Sequence, residues 1–209
     1  ATPHLDWAVD IVKEIAREKK LSFKMAIIGS ELDKELVKEK LRKGQVTPLH
    51  PAKEIAEKDV DEAVHIVAQI GEEPYIKALD EGANVIIAGR SYDPAVFAAL
   101  AIKQGYDKAL ALHMGKILEC AAIAALPGSG SDCMFGYLRR DHFVLEPLSP
   151  LRKCTTLSIA AHTLYEKTNP YVLPGPGGAL DLHACTFTQV DENKAVSYTH
   201  LRAHETDSY

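Results

Sequence analysis

In "LHMGKILEC", His113, Lys116 and Cys120 stand at i, i+3 and i+7, so a helix brings them onto one face, with Glu119 beside Cys120 on the same broad sector. An imidazole, a cation, a carboxylate and a thiol on an otherwise apolar helix require partners or solvent, because burying any of them alone is costly. Two readings stand side by side. In one, the face looks into a cleft where His113 or Lys116 moves a proton or holds an anion and Glu119 serves as acid or base. In the other, it is a solvated face carrying a Lys–Glu pair. Metal ligation by His113 and Glu119 is disfavoured, since i and i+6 is not a common ligand spacing.

Three further stretches carry chemistry. In "IIAGRSYDPA" a strand over Val85–Ala88 delivers Gly89 and Arg90 to its carboxyl end, where parallel sheets bind ligands. Arg90 is suited either to hold a carboxylate or phosphate or to close an internal salt bridge. Asp93 ahead of Pro94 reads first as a helix cap, and otherwise as a ligand contact. In "SIAAHTLYEK", His162 and Glu166 stand four apart on a helix, able to hydrogen-bond or chelate together, although a lone histidine on an apolar face is more often a satisfied core residue. "LPGPGGALDL" is stiff at its prolines and permissive at Gly175, Gly177 and Gly178, so its backbone can approach a ligand or make a tight turn into a strand that ends on Asp181. At the C-terminal end, His200, His204 and Glu205 have metal-like spacing but no apolar stripe to hold a helix there.

The elements that must position these groups alternate. Helical spacing over 5–18 is followed by the apolar run "FKMAIIGS", which reads as a buried strand, then by Ser30 as an N-cap with Asp33 three residues on, ahead of "ELVKEKLRKG". Helices are expected over 59–69 and 73–81, the second ended by Gly82, and a second strand and helix run through "NVIIAGRSYDPAVFAALAIK". A helix over 109–125, a hairpin around Arg139, Arg140 and Asp141, one helix in "TTLSIAAHTLYEK" and strand-like sequence complete the pattern. The fold class is α/β: a parallel helix-flanked sheet over residues 1–126 and a more β-rich portion over 127–195.

Composition narrows the function classes. With 209 residues, 46% hydrophobic and 25% charged, the chain can bury a sizeable core. Its 24 Lys and Arg against 29 Asp and Glu speak against nucleic acid as a partner. Four dispersed cysteines without a C-x-x-C pair read as reduced thiols. The longest apolar stretch is broken by Glu119 and stops at Pro127, so no membrane span or export signal is expected, and the location expected is cytoplasmic.

Taken together, "HLDWAVDIVKEIARE", "GANVIIAGRSYDPAVFAAL", "HMGKILECAAIAA" and "CTTLSIAAHTLYEKTNPYVLPGPGGALDL" resemble the acyclic-terpene-utilisation, or AtuA-type, family. The resemblance covers about residues 4 to 192 and implies a bacterial, cytoplasmic protein longer than this chain, which begins "ATPHLDW" without Met and reads as an internal fragment. It implies a catabolic role in acyclic terpene (citronellol or geraniol) or related organic-acid and acyl-CoA breakdown, and an anionic small-molecule substrate suits a hydratase, lyase or hydrolase. It places Gly89, Arg90, Asp93, His113, Lys116, Glu119, Cys120, His162, Glu166 and Asp181 in family motifs without giving roles. The catalytic set expected is His113, Glu119, His162 and Glu166; the substrate-binding set is Gly89, Arg90, Asp93, Lys116, Cys120, Gly177, Gly178 and Asp181. No metal is expected, the cofactor is open with a CoA-linked substrate as one option, and a homo-oligomer or a partner subunit is compatible. The alternative from another class is a non-catalytic binding or assembly subunit.

"VSYTHLRAHET" back-translates with ordinary codons to a string that resembles the transposon-end adapter of sequencing libraries. Residues 196–209 are therefore expected to be translated adapter, a loosely attached tail with little burial, which removes His200, His204 and Glu205 from the site.

Overall fold

The computed structural model describes residues 4–49, 51–165 and 169–199. Its described residues divide into two compact units, one of residues 4–49, 51–70 and 82–91, the other of residues 71–81, 92–165 and 169–199.

The first unit is built on two strands, β1 (Met25–Ile28) and β2 (Val85–Ala88), paired in parallel with Met25 opposite Val85 and Ile28 opposite Ala88. Both are short, continuous apolar runs, as strands beneath a helical layer should be. Helix α1 (Leu5–Lys19) packs against β2 and ends at Lys20, which takes left-handed angles. Helix α2 (Lys34–Arg42) starts later than expected. Its cap is Asp33, whose Oδ1 accepts from the Leu36 N–H at 3.0 Å. Ser30 is not the cap, because the chain stays extended there: the Leu32 N–H donates to the Ile66 carbonyl and the Ala68 N–H to the Ser30 carbonyl, both at 2.8 Å.

The expected helix over 59–69 is likewise corrected. Helix α3 covers only Glu57–Glu62, and Ala63 leaves it with extended angles. Val64, Ile66, Val67 and Ile70 favour extended backbone, and Val67 and Ile70 form bridges with Glu31 and Ser91.

In the second unit, α4 (Glu73–Asp80), α5 (Asp93–Lys103) and α6 (Lys108–Leu118) precede an antiparallel sheet of β3 (Met134–Leu138), β4 (His142–Pro147), β7 (Cys185–Gln189) and β8 (Ala195–Thr199), in the order β3-β4-β8-β7. Helix α7 (Thr156–Thr163) starts with a reciprocal cap, Thr155 and Ser158 each accepting from the other's N–H at 3.0 Å. Strands β5 (Val172–Gly175) and β6 (Gly178–Asp181) form a separate hairpin, and Gly82 after α4 has φ of 80°, as a C-terminal glycine should.

Helix α6 is the axis of this unit. Leu110, Met114 and Ile117 join Phe143, Leu145 and Ile159 in the main core, while Ala109 meets Leu173, Leu180 and Leu182 of the hairpin region. Burying each large side chain contributes about 1.5–3 kcal/mol. Helix α5 lies closely on α6, where Gly115 leaves room for the Pro94 carbonyl; a Cβ there would stand 2.5 Å from that oxygen.

Three more expectations are corrected. Asp93 is the first residue of α5, and Tyr92 holds the cap position. Helix α6 stops at Leu118, and Ala121, with φ of 47°, turns the chain into a 3-10 turn over Ala121–Ala124, whose small side chains bury closely. The loose tail is not seen at its start: Val196 and Ser197 are buried, β8 pairs with β4 and β7, and the Ser197 Oγ lies 3.3 Å from the Cys185 Sγ. The β-branched, alternating "AVSYT" suits an inner strand paired on both sides. His200, His204 and Glu205 lie outside the described residues.

Candidate functional site

The site builds up around Tyr92, which sits where the chain enters α5 and is 8% exposed. Its ring lies along the hairpin; a Cβ at Gly175 would stand 3.0 Å from ring atoms Cε1 and Cζ, so a side chain there would press on the phenol. Tyr92 lines a cavity of about 140 Å³ with Lys108, Ala109 and Leu112 of the α6 region and with Leu173, Leu180 and the Gly175–Gly178 turn of the hairpin. The walls are largely hydrocarbon, and the turn offers backbone groups. Gly177 takes φ of 76°, an angle that disfavours any side chain with a Cβ.

Two lysine–glutamate pairs stand about this phenol. Lys108 pairs with Glu72, the cap residue of α4, whose side chain is 3% exposed. Among the described residues Glu72 Oε2 has no hydrogen-bond partner, although it is buried. Lys116 pairs with Glu119, at 3% and 12% side-chain exposure. Burial, then the Glu119 carboxylate, then that of Glu72 push the Tyr92 hydroxyl up to about 12, so the phenol keeps its proton. The cluster is thus two ion pairs and one neutral O–H donor beside an apolar cavity.

Sequence reasoning did not find Glu72, Tyr92 or Lys108. Gly89, Arg90, Asp93 and Pro94 marked the neighbourhood of Tyr92 but not Tyr92 itself, and nothing local links Glu72 to Lys108, which start different helices.

The expected residues are distributed as follows. Lys116 and Glu119 form the buried pair, and Gly177 and Gly178 form the turn at the cavity. His113 is completely buried, edge-on to Phe143 at 5.1 Å and to Phe187 at 6.1 Å between ring centroids. Burial pulls its pKa down to about 3, so the imidazole is neutral, with the Cys185 Sγ 3.9 Å from Nδ1. His162 is buried on α7 and stacks on Tyr165 at 5.5 Å, while Glu166 lies outside the described residues. Cys120 follows α6 and is half-buried, and Asp93 is exposed.

Asp181 closes on a neighbour the sequence did not suggest: its Oδ1 accepts from the His183 N–H at 2.9 Å and lies 2.6 Å from His183 Nδ1. Gly89 and Arg90 belong to the first unit. There the Ser30 hydroxyl oxygen accepts from the Arg90 N–H at 2.7 Å, and a Cβ at Gly89 would run into the Ser30 side chain. None of the four cysteines is joined in a disulfide. Among the described residues no three His, Cys, Asp or Glu side chains gather as a metal site, and no helix is long and apolar enough to cross a membrane.

Fold and site together define an α/β protein with a charge-paired, hydrocarbon-walled pocket of small-ligand size. The chain belongs to the acyclic terpene utilisation family AtuA, whose family model matches residues 6–127. Glu72, Tyr92, Lys108, Lys116 and Glu119 all fall in that span, whereas the glycine turn and His162 lie beyond it. No curated protein and no solved structure matches the chain.

Proposed function

We propose that the chain serves as an acid–base enzyme in the breakdown of acyclic terpenes such as citronellol or geraniol, or of related organic acids and acyl-CoA compounds. The reaction type is hydratase, lyase or hydrolase, and the substrate is anionic as a whole molecule. The observation that carries this is the placement of two lysine–glutamate pairs about Tyr92, one buried (Lys116–Glu119) and one joining the buried Glu72 to the partly exposed Lys108, beside an apolar cavity and within the span matched by the family. Buried ion pairs contribute little net stability against apolar packing, so their presence beside a pocket favours a chemical use.

Lys108 holds the polar end of the substrate, with the Gly177–Gly178 turn supplying close backbone approach. Glu119, charged against Lys116, takes up a proton, and the protonated Tyr92 donates a hydrogen bond to the oxygen that gains charge. His113, neutral and sealed among Phe143 and Phe187, is assigned to the core. In a terpene-degrading bacterium whose own family gene is deleted, this chain should restore growth on citronellol and its Lys108→Met and Glu119→Gln variants should not. Growth with both variants, or none with the unaltered chain, overturns the assignment.

A further inference from the structure

We propose that the cavity beside Tyr92 takes the acyl end of an ester or thioester, an uncharged carbonyl on a compact hydrocarbon body, and discriminates against the free carboxylate of the same acyl group. This rests on the acid–base reading above and narrows its substrate class. The size sets the body: 140 Å³ is close to the roughly 150 Å³ apolar cavity that holds one benzene, so a branched chain of about five or six carbons fills it. Leu112, Leu173 and Leu180 give that body hydrocarbon on its sides.

Charge sets the head group. Lys108 is the lysine on the cavity wall, and it is already neutralised by the buried Glu72; Lys116 is likewise matched by Glu119. A carboxylate entering here would meet no uncompensated cation of the cluster, and beside Lys108 it would face the buried Glu72 carboxylate, an unfavourable like-charge arrangement. A carbonyl oxygen carries no charge to desolvate. It can accept from the ammonium, which has three donors and gives one to Glu72. The phenol of Tyr92, held protonated by burial and by Glu119 and Glu72, reinforces a donor-lined, net-neutral pocket.

The test measures binding by calorimetry on the full chain at about pH 7, with isovalerate, methyl isovalerate and the S-methyl thioester of isovaleric acid. The ester and thioester should bind at least about tenfold more tightly than the acid anion. Equal binding of the two assigns recognition to the carbonyl alone, and a preference for the thioester assigns a thioester substrate. Binding of isovalerate as tight as that of either, or no binding of all three, overturns the proposal. Glu72→Gln, which frees the Lys108 charge, should raise isovalerate affinity about tenfold and leave the ester nearly unchanged; an unaltered ratio in the folded variant also overturns it. Because the readout is affinity, loss of the growth phenotype with this preference intact counts against the acid–base function alone. A reversed preference with the growth requirement intact counts against this inference alone.

Discussion

Breaking one half of the Lys116–Glu119 pair should cost far more than replacing the whole pair. Both side chains are largely removed from water, at 3% and 12% exposure, so the screening that makes surface pairs nearly worthless does not apply. Glu119→Gln leaves an ammonium buried against α6 without its counter-charge, and removing one partner of a buried pair costs about 3–5 kcal/mol. Lys116→Met has the reciprocal effect, somewhat smaller because Glu119 is nearer solvent. The double variant Lys116→Met/Glu119→Leu removes both desolvation costs and should return to within about 1 kcal/mol of the parent. Urea unfolding of the four proteins, followed by ellipticity, gives the coupling energy directly. A loss below about 1 kcal/mol for Glu119→Gln, or a double variant that loses the sum of the singles, would refute the buried-pair account. The double variant also separates scaffold from chemistry: if the pair acts on substrate, that protein folds and still fails to support growth on citronellol.

Gly115→Ala should lower Tm, since the new Cβ would face the Pro94 carbonyl at 2.5 Å and backbone cannot rotate away. The helix-propensity gain is about 1 kcal/mol against an overpacking cost of about 1–3 kcal/mol, and an unchanged or higher Tm contradicts the close α5–α6 contact. Gly177→Ala should destabilise by about 1–2 kcal/mol through its positive φ, and Gly177→Asn by less; equal losses in urea unfolding would show that backbone angle is not the cause. His113 has a folded pKa of about 3 against 6.5 ordinarily, so the unfolded chain binds the proton first as pH falls. Its contribution is complete above about pH 6.5 and declines by about 1.4 kcal/mol per pH unit down to about pH 3. Between pH 7 and pH 5 the stability of His113→Phe should therefore fall by about 2 kcal/mol less than that of the parent, and parallel losses would remove His113 as the source.

The alternation of strand and helix was legible because β1 and β2 are continuous apolar runs ending in Gly29 and Gly89, and because α1 carries its apolar residues at helical spacing. Gly82 and the β3–β4 hairpin were likewise local signals that the fold kept. Two of the errors fell where long-range pairing, absent from any window of neighbours, decided between helix-compatible spacing and β-prone residue types. Residues 63–70 carry a helix-compatible pattern, yet they pair with Ser30, Leu32 and Ser91, and a bridge to a distant segment leaves no trace in a window of neighbours. "VSYT" read as the start of a tail, although its β-prone residues suit the inner position between β4 and β7.

The site shows the same limit more sharply. Face arguments assume a helix with one side in water, but α6 buries Ala109, Leu110, Ala111, His113, Met114, Gly115, Lys116 and Ile117 in near succession. On such a helix His113, Lys116 and Glu119 need not share a surroundings. Lys116 finds Glu119 one turn on, a pairing the spacing foretold, while His113 turns into the aromatic core. Lys108 is the first residue of α6 and Glu72 the cap residue of α4, and no sequence spacing connects the two. Only the packing of α4 on α5 and of α5 on α6 within one unit brings that lysine to that carboxylate, and only the glycine turn of β5–β6 completes a cavity beside them. An i+3 pair within one helix can be inferred from spacing; an ion pair between helices that sets the charge of a pocket depends on the fold, and here the inter-helix pair decides which head group the pocket accepts.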